Sequence, residues 1–384
     1  MRLNSHDEWS PLREVVLGSA AGYRSHVPDL SFDLFFYENL TQDNADRSHG
    51  YYPRLTGVPS TGEPRPSPRL TIKERYVDEL NEDVEGMAAT LRSLDVIVHR
   101  PMDVMSTTGD VRTPAWSAPV LPPLNLRDNT LILGDEIIET PPMLRARYFE
   151  TQFLKRTFTE YFRQGARWTT MPRPLMTDAS FDLAPYGHRA IGSTEAVSSP
   201  RSSPYDVGLE MMIDAAQCLR LGRDLVVNVA TVNHAMACDW LERHLSGRVR
   251  VHRMHHVTDG HIDSAVLALR PGVLLVRSPD LSDRLPSPLR KWKMIVAPEP
   301  RASDFPSYED DDLILTSRFI DLNVLSVSPD TVLANEGCPD LMRMLEGHGF
   351  TVVPVRHRHR RLFGGGLHCF TLDTVRDGGC DDYL

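Results

Sequence analysis

The chain has 384 residues, 41% hydrophobic and 24% charged, which is ordinary globular composition and long enough for two or three domains or for one barrel or propeller. A formal charge of −10 argues against a general nucleic-acid binder, because nothing offsets phosphate repulsion. Five cysteines, an odd number with no CxxC spacing, argue against a disulfide framework and for a reducing compartment. The opening MRLNSHDEWS lacks a basic region followed by an apolar run, and no apolar run reaches the ~18 residues of a membrane span, so a soluble cytoplasmic protein is expected.

In chain order, residues 12–18 (LREVVLG) read as a short buried strand. Residues 23–70 carry aromatics and then a stretch rich in Pro, Gly and Ser, which predicts a long excursion of the kind that forms lids or binding loops. Apolar spacing near 3.6 predicts an amphipathic helix over 72–93, with a strand after it at 96–98. Residues 130–139 (TLILGDEIIE) read as a hairpin turning at Gly134-Asp135, and 143–164 as helix. Residues 173–206 read as loop. A strand at 224–230, a helix at 232–245 and a strand at 249–252 follow, then a strand pair over 264–277 turning at Pro271-Gly272. The end reads as strands at 313–317 and 322–327, a turn at Pro329-Asp330, a helix at 337–348 and a strand at 350–355. Strand pairs recur with a helix between them and no linker divides the chain. One α/β domain of repeated ββαβ-like units is therefore expected, with an ordinary doubly wound sheet as the alternative.

Chemistry concentrates in three places. Gly364-Gly365-Gly366-Leu367-His368-Cys369 sets a cysteine at the end of a glycine run that permits unusual backbone conformations and close approach. Asp214 in MMIDAAQCLRLGRD and His261 in GHIDSAVLAL stand in apolar contexts far upstream. A cysteine, a histidine and an aspartate of this kind can serve as nucleophile, acid/base and orienting carboxylate. Blander readings stand beside this one: a buried apolar cysteine, a structural histidine, an aspartate that caps a helix. Two histidine-rich stretches, 252–261 and 357–368, lack metal-site spacing, so no metal is expected. The run Arg356-His357-Arg358-His359-Arg360-Arg361 reads as a solvated loop, or else as an aid to binding an anionic acceptor.

The segments DEWSPLREVVLG, LRDNTLILGDEIIETP, RYFE with EYFRQGARWTTMPRP, IDAAQCLRLGRD, GHIDS, LNVLSV and GGGLHCFTLDTVRDGG resemble, in order and over almost the whole chain, the amidinotransferase family. That resemblance implies a five-bladed α/β propeller. It implies Cys369 as nucleophile, His261 as acid/base and Asp214 as its partner. Asp128 and Asp263 would bind the substrate guanidinium, and Arg127, Thr316, Ser317 and His368 complete the implied substrate-binding set. The family often carries an arginine after an NPD-like turn to hold the donor's carboxylate; here Ser278-Pro279-Asp280 is followed by Leu281, leaving Arg277 or Arg284 as substitutes. The implied reaction moves an amidino group from arginine to an amine, in specialised metabolism, through an amidino-cysteine and without a cofactor. The implied partners are small molecules and a second copy of the chain. A hydrolase of the arginine deiminase or dimethylargininase kind is the competing expectation.

Overall fold

Four hairpins with two-residue turns recur along the chain: Thr130–Leu133 with Glu136–Glu139, Cys218–Leu221 with Asp224–Val229, Val266–Arg270 with Val273–Val276, and Leu325–Ser328 with Thr331–Asn335. The computed structural model describes residues 1–23, 25–26, 29–35, 70–103, 109–186, 204–258, 260–308 and 314–384. Beside the second strand of each hairpin lies a parallel third strand: Arg167–Thr170, Arg250–His255, Lys293–Val296 and Thr351–Val355. A parallel neighbour cannot be reached by a tight turn, so the chain must cross over. The crossover is α-helical at Lys155–Arg163, Val232–His244 and Pro339–Gly347. In the remaining unit Pro279, Pro286 and Pro288 interrupt the segment, and only the 3-10 turns Pro279–Arg284 and Leu289–Lys291 form.

The two ends of the chain assemble a fifth unit. Thr371–Arg376 runs antiparallel to Leu12–Leu17, which pairs in parallel with Ile97–His99 beyond the helix Glu74–Ser93. Five three-stranded sheets of one pattern result, arranged as the blades of an α/β propeller, each a separate sheet rather than a share of one closed barrel. Most hairpin strands are buried along their whole length, which is why they read as continuous apolar runs instead of alternating ones. No helix among the described residues is long and apolar enough to cross a membrane.

The first strand of each unit faces the centre. Side chains bond from one such strand to the next: Arg220 to the Ile132 carbonyl, the Ser326 hydroxyl to the Leu269 carbonyl, and Arg376 to the Ser326 carbonyl. A buried ion network fills the axis. Arg220 pairs with Glu8 at 2.6 Å and with Asp373 at 2.7 Å, while Arg127 and Arg376 also hold Asp373. Glu8 comes from the N-terminal segment, which is pinned by backbone pairing of Ser5 with Gly134 and of Asp7 with Leu221. Burial pushes the Glu8 and Asp373 carboxyls up, but the surrounding guanidiniums outweigh it and hold both well below the usual carboxylate range.

Several expected elements differ in the structure. The strands Cys218–Leu221 and Thr371–Arg376 escape a pattern reading because Arg220, Asp373 and Arg376 look solvent-facing, whereas they point into the axial network. The helix expected over 143–164 is confined to Lys155–Arg163. Ahead of it, the turns Arg145–Arg147 and Glu150–Leu154 bury Arg145, Arg147 and Glu150. No strand forms at residues 314–317: the amides of Leu315 and Thr316 donate to the Arg361 carbonyl, and residues 311–313 lie outside the described residues. The basic run 356–361 is not a solvated loop. Arg356 and Arg358 bind Asp83 on the helix Glu74–Ser93, Arg360 binds Asp321, and His357 and Arg361 are buried. Most of the excursion expected over 23–70 lies outside the described residues. Its ends form a short pairing of Ser25–His26 with Leu70–Thr71 and a one-and-a-half-turn helix, Leu30–Phe35.

Candidate active site

The propeller brings five distant segments together, because each of its central strands is entered by a tight turn. Asp128 ends the turn Leu126–Asp128 before Thr130, and Asp214 precedes the turn Ala215–Gln217 before Cys218. His261 precedes and Asp263 lies within the turn Ile262–Ser264 before Val266. Asn323 follows the turn Arg318–Leu322 before Leu325, and Cys369 sits just before Thr371. The repeat that builds the blades therefore also converges the polar groups.

His261 Nε2 lies 2.9 Å from Asp214 Oδ2, and Asp214 Oδ1 accepts the Met143 amide at 3.0 Å. Asp214 does not cap the turn that follows it; its side chain is committed to the histidine and to Met143. On its other side His261 Nδ1 is 3.6 Å from Asp128 Oδ1, too long for a hydrogen bond but well within Coulomb range. The Cys369 thiol donates to Asp263 Oδ2 at 3.4 Å, and the same oxygen lies 2.8 Å from His368 Nδ1. The Cys369 amide donates to Asn323 Oδ1 at 2.9 Å, which fixes the turn carrying the sulfur. Asp128, Asp214, Asp263, His368 and Cys369 are nearly inaccessible to solvent, while the His261 side chain remains partly exposed.

The glycine run is explained by its neighbours. Gly364 has φ +72°, in the left-handed region. A Cβ on Gly365 would fall 2.0 Å from Asn125 Oδ1, and one on Gly366 would fall 2.6 Å from Asn323 Cβ. The close approach that the glycines permit is thus to two asparagines that brace the cysteine turn.

Two buried carboxylate oxygens, Asp128 Oδ1 and Asp263 Oδ1, have no hydrogen-bond partner. Buried polar atoms are satisfied nearly everywhere in native proteins, so such a pair beside a thiol and a histidine marks a place for donors carried by a ligand. The electrostatics are consistent with a cationic ligand. Burial alone would lower His261, yet Asp128, Asp214 and Asp263 outweigh it and raise its pKa to about 9. Burial pushes the Cys369 thiol well above its ordinary value, and the charges of Asp263 and Asp128 push it further. Burial also raises the Asp128 carboxyl, against the pull of His261 and Arg147.

Asp128, Asp214, His261, Asp263, His368 and Cys369 are thus assembled in one place. Arg127 points away from it: its guanidinium holds Asp373 and the His368 carbonyl within the axial network, so it supports the cysteine turn from behind. Thr316 and Ser317 are buried but use their hydroxyls locally, on the Arg360 carbonyl and the Phe319 amide. Leu281 is packed in the core, Arg284 binds the His256 carbonyl, and Arg277 lies 5.9 Å over the Phe319 ring. Sequence reasoning assigned no role to Arg147, which holds Asp128 through Nη1 and is itself gripped by Glu150, nor to Asn323. Both stand inside segments that carried the family resemblance, RYFE and LNVLSV, and that was the available signal.

No protein-family model matches the chain. Over 382 residues, 98% of this chain and 98% of the relative, it is 32% identical to inosamine-phosphate amidinotransferase 1 of Streptomyces glaucescens. Among solved structures it is similar to an inosamine-phosphate amidinotransferase of Streptomyces griseus, with a TM-score of 0.79 and 30% identity over 99% of each chain. It is also similar to an amidinotransferase of the saxitoxin biosynthetic pathway of Microseira wollei, with a TM-score of 0.77 and 27% identity over 100% of this chain and 99% of that one. The likeness reaches DDAH from Pseudomonas aeruginosa in fold alone, with a TM-score of 0.52 and 12% identity over 94% of this chain and 99% of that one.

Proposed function

The chain belongs to the amidinotransferase family, and from that membership we propose that it moves an amidino group from L-arginine to an amine in the biosynthesis of a natural product, through a covalent adduct on Cys369. The observation that carries the reading is the pair of buried, unpartnered oxygens of Asp128 and Asp263 beside the thiol. A guanidinium is a flat fork of N–H donors with a positive charge, and two carboxylates hold it by charge-assisted hydrogen bonds.

In the free site the sulfur is a thiol, held so by burial and by carboxylate charge. A guanidinium placed between Asp128 and Asp263 offsets those charges, so the thiol ionises as the donor binds and its proton is lost to solvent. Sulfur then bonds to the guanidine carbon. As the C–N bond to the donor's side chain breaks, its electron pair goes to nitrogen and His261, cationic at neutral pH, supplies the proton. Ornithine leaves, with the amidino group on Cys369 and His261 neutral. An acceptor amine enters, gives a proton to His261 and bonds to the carbon, and the C–S electron pair returns to sulfur. Asp214 orients His261 and stabilises its cation throughout, as a triad carboxylate does.

Arg147 and Asn323 are positioning residues in this reading. Arg147 sets the angle of Asp128, and Asn323 fixes the backbone of Cys369. With Leu281 at the position where relatives often carry an anchoring arginine, recognition of the donor rests mainly on its guanidinium. The test is product analysis with arginine and a mixture of amines. Ornithine together with a guanidinated amine is the expected outcome; citrulline as the main product would make the protein a hydrolase.

A further inference from the structure

We propose that the acceptor is a primary amine whose nitrogen is followed by several apolar carbons, as in an alkylamine or arylalkylamine. The inference rests on the transferase reading above and narrows it to a substrate class. A narrow cleft with about 30 Å³ of free space opens onto the site, with Asp128, Asn125 and Arg147 among its lining residues. Its other walls include Tyr23, Phe35, Leu121, Leu124, Leu315 and Phe363. The Phe35 ring stands edge-on to His261 with centroids 5.3 Å apart, so the apolar wall begins at the acid/base. Tyr23 and Phe363 meet edge to face at 5.2 Å, giving the opposite side two ordered aromatic rings.

The amine that leaves and the amine that enters are each bonded in turn to the same carbon. The chain behind either nitrogen therefore leads out of the site by the same route, along these walls. The three methylenes of arginine suit such a route, and so does any acceptor built like them. An acceptor with an anion close to its nitrogen does not. Among the described lining residues Arg147 is the one cation. Its Nε and Nη2 are held by Glu150, its Nη1 by Asp128, and Nη2 also donates to the Asn125 carbonyl at 2.7 Å. A phosphate or carboxylate close behind the acceptor nitrogen would meet no uncommitted cation among the described lining residues, whereas the carboxylate of arginine stands beyond three methylenes, farther out along the route. The cation of the acceptor is no obstacle, because its nitrogen sits at the carboxylate end of the cleft.

Arginine and the purified enzyme are first mixed without acceptor, to measure the amidino adduct on Cys369 and the ornithine released. Propylamine, pentylamine, hexylamine, 2-phenylethylamine, glycine and glucosamine 6-phosphate are then offered separately, and kcat/KM is read from the guanidinated product. The expected result is a rise of roughly threefold to fourfold per added methylene from propylamine to hexylamine. Hexylamine and 2-phenylethylamine should exceed glycine and the phosphorylated amino sugar by about tenfold or more. An adduct that forms but passes equally well to all amines, preferentially to glycine or the sugar phosphate, or to none of them, would overturn the inference and leave the transferase reading standing. If no adduct forms, the transferase reading fails and takes this inference with it.

Discussion

His261 and Cys369 draw opposite consequences from one set of carboxylates. Negative charge holds a proton on both: it keeps the histidine cationic, with a pKa of about 9, which suits the acid of the proposed reaction, and it keeps the cysteine a thiol, which opposes its proposed role as nucleophile. The acid form of His261 is present below pH 9 and lost above it. At subsaturating arginine, where the free site titrates, ornithine release in the first half-reaction should therefore decline as pH rises through about 9. Replacing Asp214 by Asn removes an anion that raises the histidine, so that limb should move to lower pH, with kcat lowered by about 10²-fold or more. A pH–rate profile of single-turnover ornithine release checks both, and an unmoved limb in Asp214→Asn would assign it to another group. Asp263→Asn should lower the Cys369 pKa while weakening arginine binding. The rate of iodoacetamide alkylation against pH reads this directly, and a thiol pKa unchanged or raised in the variant would contradict it.

The turns entering the central strands do most of the positioning, and the glycines make the tightest of them possible. Gly366→Ala would drive a methyl group into Asn323 and displace the segment that holds the Cys369 amide. Activity should fall by about tenfold or more while the thermal transition shifts by only a few degrees; loss of folding instead would mean that the turn is structural first. Gly86 is a contrasting glycine. It stands exposed inside the helix Glu74–Ser93 with open space where a Cβ would go. Gly86→Ala should stabilise the protein by about 0.5–1 kcal/mol, measured as a higher denaturant midpoint at unchanged activity. The elements most legible in the sequence were those whose burial follows a simple period: this helix, with Tyr76, Leu80, Val84, Met87 and Leu91 inward, and the hairpins at Gly134-Asp135 and Pro271-Gly272. Strands carrying Arg220, Asp373 and Arg376 were not legible, because a charge that is paired on a closed axis looks in one dimension like a charge in water. The site divides in the same way. Cys369, His261 and Asp214 announce themselves by residue type and by family resemblance. The value of Arg147 and Asn323 lies in what they hold, Asp128 at 19 residues' separation and the Cys369 amide at 46, and that is visible only once the chain is folded.

At the scale of the whole molecule, closure depends on the axial ion network. Glu8 joins it from the N-terminal segment and Asp373 from the C-terminal strand, and both are clamped by Arg220 from the middle of the chain. Their folded-state pKa values are depressed, so the stability they contribute is present above the unfolded-state values near pH 4 and drains away as pH falls toward the folded-state ones. Asp373→Asn leaves three buried guanidiniums short of a counter-charge. It should cost about 3–5 kcal/mol at pH 7 and make stability depend less steeply on pH between 5 and 3. Urea denaturation across that range tests this, and equal pH slopes for the two proteins would rule it out. The same network lies directly beneath the site, since Arg127 bonds both Asp373 and the carbonyl of His368. Holding the chain ends together and holding the turn of Cys369 in place are thus one structural task. The central claim, that this closed propeller presents Cys369 to a guanidinium, is tested most directly by intact-protein mass spectrometry after mixing with arginine alone, with Cys369→Ala in parallel. The account predicts the mass of one amidino group added per chain, absent from the variant, with one equivalent of ornithine released; an unmodified protein, or the same adduct on the variant, would contradict it.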